Sequence, residues 1–173
     1  AMSITAICTT TAFSFASPAS QMTLDQLRNN HPTLRVFGQS DQISKLIAPE
    51  LATGKTAAQS AQNFLNTWSY SLGANAQEFV PVGPFSDGHH VQPIMFNKET
   101  GEYKFTGTYY KQTADGLPVY GTRLMLLSRN VSGNPIVNAT VDLRDVVGFK
   151  KPKRVMNNAA LALMSSATRF GTS

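Results

Sequence analysis

The dipeptide Asp115-Gly116 stands between two runs rich in Tyr, Thr, Val and Leu, "YKFTGTYYKQ" before it and "PVYGTRLMLLS" after it. Gly admits the positive φ that a tight connection between antiparallel strands requires, so the spacing predicts a β-hairpin. A hairpin commits the chain to a sheet, and the apolar face of a sheet must be covered by another layer. Further along, Val137, Ala139, Val141 and Leu143 alternate with Asn138, Thr140, Asp142 and Arg144, the period-2 pattern of a half-buried antiparallel strand. "TLRVFG", "QISKLIAPEL" and "VQPIMFN" also read as strands, with turns expected at "GQSDQ", "KETGE" and "VSGNP".

The covering layer is legible in "TAAQSAQNFLNTWSYSLG". There Ala57, Ala61, Phe64, Leu65, Trp68 and Leu72 recur at the 3.6-residue spacing of one helix face, with Thr56 and Gln59 as a capping box and Gly73 as the stop. A shorter helix is expected in "TLDQLRNN", capped by Thr23 and Gln26 and ended by His31 and Pro32. The expected fold class is therefore α+β, with one long amphipathic helix packed on a curled antiparallel sheet, a cystatin-like arrangement. With 173 residues, 42% of them hydrophobic, the chain has material for one core.

The ends read differently. "SITAICTTTAFSFASPAS" is a short apolar run followed by small residues, with Ser14 and Ala16 suiting a small-x-small cleavage pattern. Residues 1–21 are read as a signal-peptide remnant, a tag or a tail, the other reading being an ordinary buried strand. The run is too short to span a bilayer. Only 14% of residues are charged, which leans toward export, so the expected location is secreted or extracytoplasmic. Cys8 is the only cysteine, so neither an internal disulfide nor a cysteine-based zinc site is available.

The net charge of +5 sits mainly in the second half, much of it in "RDVVGFKKPKR". Lys150, Lys151, Lys153 and Arg154 are a candidate processing or docking patch for a protease, an acidic partner or a polyanion; the plainer reading is a solvated linker. The chain contains no HExxH, phosphate loop, GxGxxG, G-x-S-x-G or CxxC, so catalytic residues, metal ligands and cofactors are all expected to be none. His89 and His90 are adjacent, and neighbouring residues in a strand point to opposite faces, so the pair is read as a loop or hairpin tip. Trp68, Tyr109, Tyr110 and Tyr120 resemble a base-stacking set, but no nucleic-acid motif accompanies them. No specific nucleic-acid partner and no membrane span are expected. Asn130 and Asn138 head glycosylation sequons that matter only in a glycosylating host.

The stretch "YKQTADGLPVYGTRLMLLSRNVSGNPIVNATVDL" resembles the fungalysin/thermolysin propeptide domain, the prosegment module of secreted zinc metallopeptidases. The likeness rests on an aromatic-x-Gln strand at Tyr110 and Gln112, and on a Gly-aliphatic-Pro-Val-aromatic-Gly hairpin at Gly116, Leu117, Pro118, Val119, Tyr120 and Gly121. A strand, turn and strand follow. "PTLRVFGQSDQISKLIAPEL" and "AAQSAQNFLNTWSYSLG" are similar to the opening strand pair and Ala-rich helix of such prosegments, and "NNAALALMSSA" to the first helix of a PepSY module. The resemblance implies a propeptide-like domain over 22–148, followed at 149–173 by a basic linker and the start of a PepSY-like helix. It implies a non-catalytic role as intramolecular chaperone and inhibitor of a protease catalytic domain, in cis or in trans. The hairpin residues Tyr110, Gln112, Gly116, Pro118, Val119, Tyr120 and Gly121 become candidate partner contacts. The alternative is a stand-alone extracellular binding module of the same fold.

Overall fold

A computed structural model describes residues 23–39, 42–85 and 88–151. The expected signal remnant, the PepSY-like helix, Lys153 and Arg154 lie outside the described residues, as do two residues of the "GQSDQ" turn. The described chain runs α1 (Leu24–Asn30), β1 (Arg35–Gln39), β2 (Gln42–Ile47), α2 (Ala57–Trp68), β3 (Phe79–Pro81), β4 (Val91–Asn97), β5 (Glu102–Ala114), β6 (Leu117–Pro118), β7 (Arg123–Arg129) and β8 (Ile136–Asp142). All pairings are antiparallel, in the order β1-β2-β8-β7-β5-β3.

The long strand β5 organises the sheet. Tyr110 pairs with Leu124 of β7 on one side and Pro81 of β3 on the other, while Thr108 sits between Leu126 of β7 and Val91 of β4. So β3 and β4 share one edge of β5, and β7 and the short β6 share the other.

The expectation of one long helix on a sheet is corrected by this structure. The described chain is mostly antiparallel sheet, with eight strands and only two short α-helices, of seven and twelve residues. Expected to run from Thr56 to Gly73, α2 stops at Trp68 and narrows to a 3-10 turn over Ser69–Leu72 before left-handed Gly73. The cause is local. The Ser71 hydroxyl donates to the Trp68 carbonyl at 2.6 Å, and serine side chains that bond nearby backbone compete with the helical ladder. Gly73 N–H then closes onto Tyr70 O, a tightened last turn.

The capping boxes also differ from each other. Thr23 and Gln26 exchange bonds reciprocally at α1. At α2 the Thr56 hydroxyl accepts from Gln59 N–H, but the Gln59 side chain reaches past Thr56 to accept from Lys55 N–H at 3.0 Å.

Short as it is, α2 buries Ala61, Phe64, Leu65 and Trp68 against Leu46, Leu124, Leu126, Ala139 and Val141 on one sheet face. Each fully buried Leu or Phe contributes about 1.5–3 kcal/mol. Trp68 also donates its indole N–H to Leu51 O at 2.9 Å, and its ring meets His31 edge-on at 5.5 Å. The alternation expected in β8 is present: Val137, Ala139, Val141 and Leu143 are all buried. No helix among the described residues is long and apolar enough to cross a membrane.

Candidate functional site

The hairpin that motivated the functional reading is built around Gln112. This residue is fully buried at the end of the β5–β7 pairing, and every polar group it has is engaged. Its side-chain amide donates to Arg144 O at 3.0 Å and its carbonyl oxygen accepts from Arg144 N–H at 2.9 Å. Its backbone N–H donates to the Thr122 hydroxyl at 3.2 Å, and its backbone carbonyl accepts from Val119 N–H at 2.9 Å. The Thr122 hydroxyl in turn donates to Val119 O at 2.8 Å. Gln112 thus ties the returning arm of the hairpin and the chain leaving β8 to one strand.

The turn has the backbone its sequence predicts. Asp115 and Gly116 both have positive φ, 47° and 76°, the requirement of a type I′ connection. Beyond it the arms are unequal. Thr113 pairs with Pro118 and Tyr110 with Leu124, so two residues of β5, 111 and 112, face five, 119 to 123. The strand expected as "PVYGTRLMLLS" is therefore interrupted, and the surplus bulges outward. At its crest Tyr120 is 98% exposed, followed by left-handed Gly121 at φ 71°. Buried Thr122 anchors the bulge on one side and half-buried Val119 on the other.

The candidate contacts therefore divide. Tyr110 and Gln112 are core residues and cannot touch a partner in this state. Burial pushes the Tyr110 phenol up to about 12. Gly116 shapes the turn, Pro118 and Val119 flank the bulge, and Tyr120 with Gly121 forms its exposed crest. Lys150 and Lys151 are brought to the same end of the molecule, because Lys151 N–H donates to the Asp115 carboxylate at 2.9 Å. Lys153 and Arg154 lie outside the described residues.

Sequence reasoning missed Thr122, Arg144 and the role of Asp115 as an acceptor. The Gln112–Arg144 link spans 32 positions and leaves no local signal. The two sequence features that bear on it are an amide close to the end of a long strand, between Lys111 and Thr113, and a run that leaves β8 without a turn motif.

Elsewhere, His90 meets Tyr110 edge-on at 6.2 Å. No group of three His, Cys, Asp or Glu side chains converges among the described residues. Asn130, the first sequon residue, has both amide atoms engaged, donating to Tyr103 O and accepting from the Thr106 hydroxyl, each at 2.8 Å. Comparison with known proteins finds no matching family model, curated protein or solved structure.

Proposed function

We propose that this chain is a non-catalytic, prosegment-type domain that docks on the catalytic domain of a secreted zinc metallopeptidase, assisting its folding and holding it inactive. The observation that supports this is Tyr120. A large aromatic side chain stands 98% exposed on a backbone fixed from below by Gln112 and Thr122. Tyrosine on a rigid support is a preferred anchor of protein interfaces, since little conformational freedom is lost when it docks. Lys151, whose backbone N–H reaches the Asp115 carboxylate, brings positive charge close to the turn of the same hairpin. The likeness of residues 110 to 121 to propeptide hairpins supplies the class of partner.

The test is refolding of the zinc-peptidase catalytic domains encoded in the same genome, with and without this chain, followed by activity assays. One of them is expected to refold in higher yield and to be inhibited in a concentration-dependent way. Without a covalent tether, affinity in trans is expected to be on the order of micromolar. Tyr120→Ala should weaken inhibition by roughly tenfold or more, the loss of a hot-spot residue. If neither yield nor activity responds for any of these domains, the reading passes to a stand-alone binding module.

A further inference from the structure

The sheet has a second face, and the residues on it are unlike those of a water-facing sheet. Cross-strand partners share a face: Phe105 lies between Ile94 and Arg129, Tyr109 beside Met125, Leu127 beside Asn138, and Ile47 beside Arg35. Both α-helices pack on the opposite face, where Leu27, Phe64 and Trp68 join the core. A solvated face normally alternates polar side chains against the buried ones. Here Ile47, Ile94, Phe105, Tyr109, Met125 and Leu127 are only half-buried, and at one end Phe96 and Tyr103 are 55% and 42% exposed. Contiguous apolar surface of this kind, rimmed by polar groups, marks an interaction site.

Two details show that the face is tightly built. Gly107 lies under the Tyr109 ring, and a Cβ there would come within 2.8 Å of Ile94 Cδ1 and 3.0 Å of a Tyr109 ring carbon. The ring therefore lies down over the strand instead of standing in solvent. Phe96 and Tyr103 pack on each other at 5.1 Å.

Cations outnumber anions on this face. Arg35, Lys45, Lys111, Arg123 and Arg129 all belong to it by register. Its only strand carboxylate, Asp142, is held by the Arg144 guanidinium at 2.6 Å. The edge made by β3 and β4 is unsuited to taking an added strand. Pro81 removes a donor from β3, Pro93 removes one from β4, and Met95 breaks that strand with a φ of 61°.

We propose that this second sheet face is a docking surface for an acidic polypeptide segment bearing aromatic or aliphatic side chains. Its apolar residues would cover Phe105, Met125 and Leu127, and its carboxylates would meet the surrounding cations. A single-stranded nucleic acid fits less well. Tyr109 lies over Gly107, Phe96 and Tyr103 pack on each other, and Arg35 covers Phe37, so Phe105 is left among Ile94, Met125 and Leu127 without a second open ring beside it on which successive bases could stack. The inference rests on the sheet face alone and not on the prosegment reading; a peptidase that ignores this chain leaves it untouched.

The probe is a random glutamate–tyrosine copolymer, titrated into the full chain while methyl resonances of Ile94, Met125 and Leu127 are followed by NMR. Lysine–tyrosine copolymer and oligothymidylate serve as comparisons. Saturable shifts at those methyls are expected, with a Kd on the order of tens of micromolar at low salt, as befits a weak, partly electrostatic contact. The Arg123→Gln/Arg129→Gln variant changes exposed side chains, so it should fold, as its thermal melt will verify, and bind at least tenfold more weakly. Leu127→Glu should abolish binding, and Tyr120→Ala should leave it unchanged. Shifts confined to other residues, no binding, or equal binding of the lysine–tyrosine copolymer would overturn the proposal. So would tighter, salt-resistant binding of oligothymidylate, which would make the face a nucleic-acid platform. A probe-free dimer that buries these methyls would overturn it in favour of a second copy of the chain.

Discussion

The side-chain amide of Gln112 exchanges two hydrogen bonds with the backbone of Arg144, at 2.9 and 3.0 Å, from a position with no solvent exposure. This pairs a strand with a segment that is not itself a strand, using a side chain in place of the missing backbone ladder. Gln112→Leu keeps the volume but leaves Arg144 N–H and O without partners, each orphaned group costing about 1–3 kcal/mol. The expected loss is about 2–4 kcal/mol by chemical denaturation. Gln112→Glu retains only an acceptor, so it should regain stability as the pH falls and the carboxyl protonates. A Gln112→Leu variant as stable as the parent would show that the link is dispensable.

Trp68→Ala removes the largest side chain from the α2 stripe together with its bond to Leu51 O. The cavity should cost roughly 3–5 kcal/mol. Trp68→Phe keeps most of the volume and should reveal the lost hydrogen bond, about 1 kcal/mol for a typical one. A midpoint unchanged in Trp68→Ala would be incompatible with the burial of this residue.

Thr108 faces the core between Leu126 and Val91 with no exposure, and its hydroxyl has no hydrogen-bond partner. Thr108→Val replaces that hydroxyl with a methyl of the same shape. Relief of the desolvation cost should raise stability by about 1 kcal/mol, and a rise in melting temperature checks it. A loss of stability would mean that the hydroxyl is in fact bonded.

Stability should fall at both ends of the pH range, for separate reasons. Burial holds the Tyr110 phenol at about 12, above its unfolded value of 10.0, so the native state keeps a proton that the unfolded chain releases. The Tyr110 contribution is fully present below pH 10 and is lost as the pH rises toward 12, so Tyr110→Phe should remove its share of that decline. His31 is lowered from 6.5 by burial beside Trp68, partly offset by the Glu50 charge. There the unfolded chain binds the proton first, so stability falls as the pH drops below 6.5, and His31→Gln should flatten that slope. Melting temperatures of the parent and both variants from pH 5 to the alkaline limit, at fixed ionic strength, separate the two effects.

Local chemistry alone determined the elements whose causes are local. The Asp115 and Gly116 turn, the alternation through Val137 to Leu143 and the capping of α1 by Thr23 all follow from residues within a few positions of each other. Helix length was not legible, because the Ser71 hydroxyl that captures the Trp68 carbonyl competes with a ladder that the apolar spacing alone would extend. The two-residue β6 and three-residue β3 were not legible either, being too short to carry a period. Of the candidate site, the sequence supplied the hairpin, but only the tertiary structure decided which residues face outward. Tyr110 and Tyr120 are alike in sequence, yet one is 4% and the other 98% exposed. The difference arises because Gln112 is fastened to Arg144, 32 positions away, and five residues stand opposite positions 111 and 112: Val119 and Thr122 are held inward, and Tyr120 and Gly121 between them are left in solvent. The second sheet face is likewise a product of register. Residues scattered from Arg35 to Asp142 become neighbours only when strands pair, because side chains alternate along each strand and the pairing sets which of them line up.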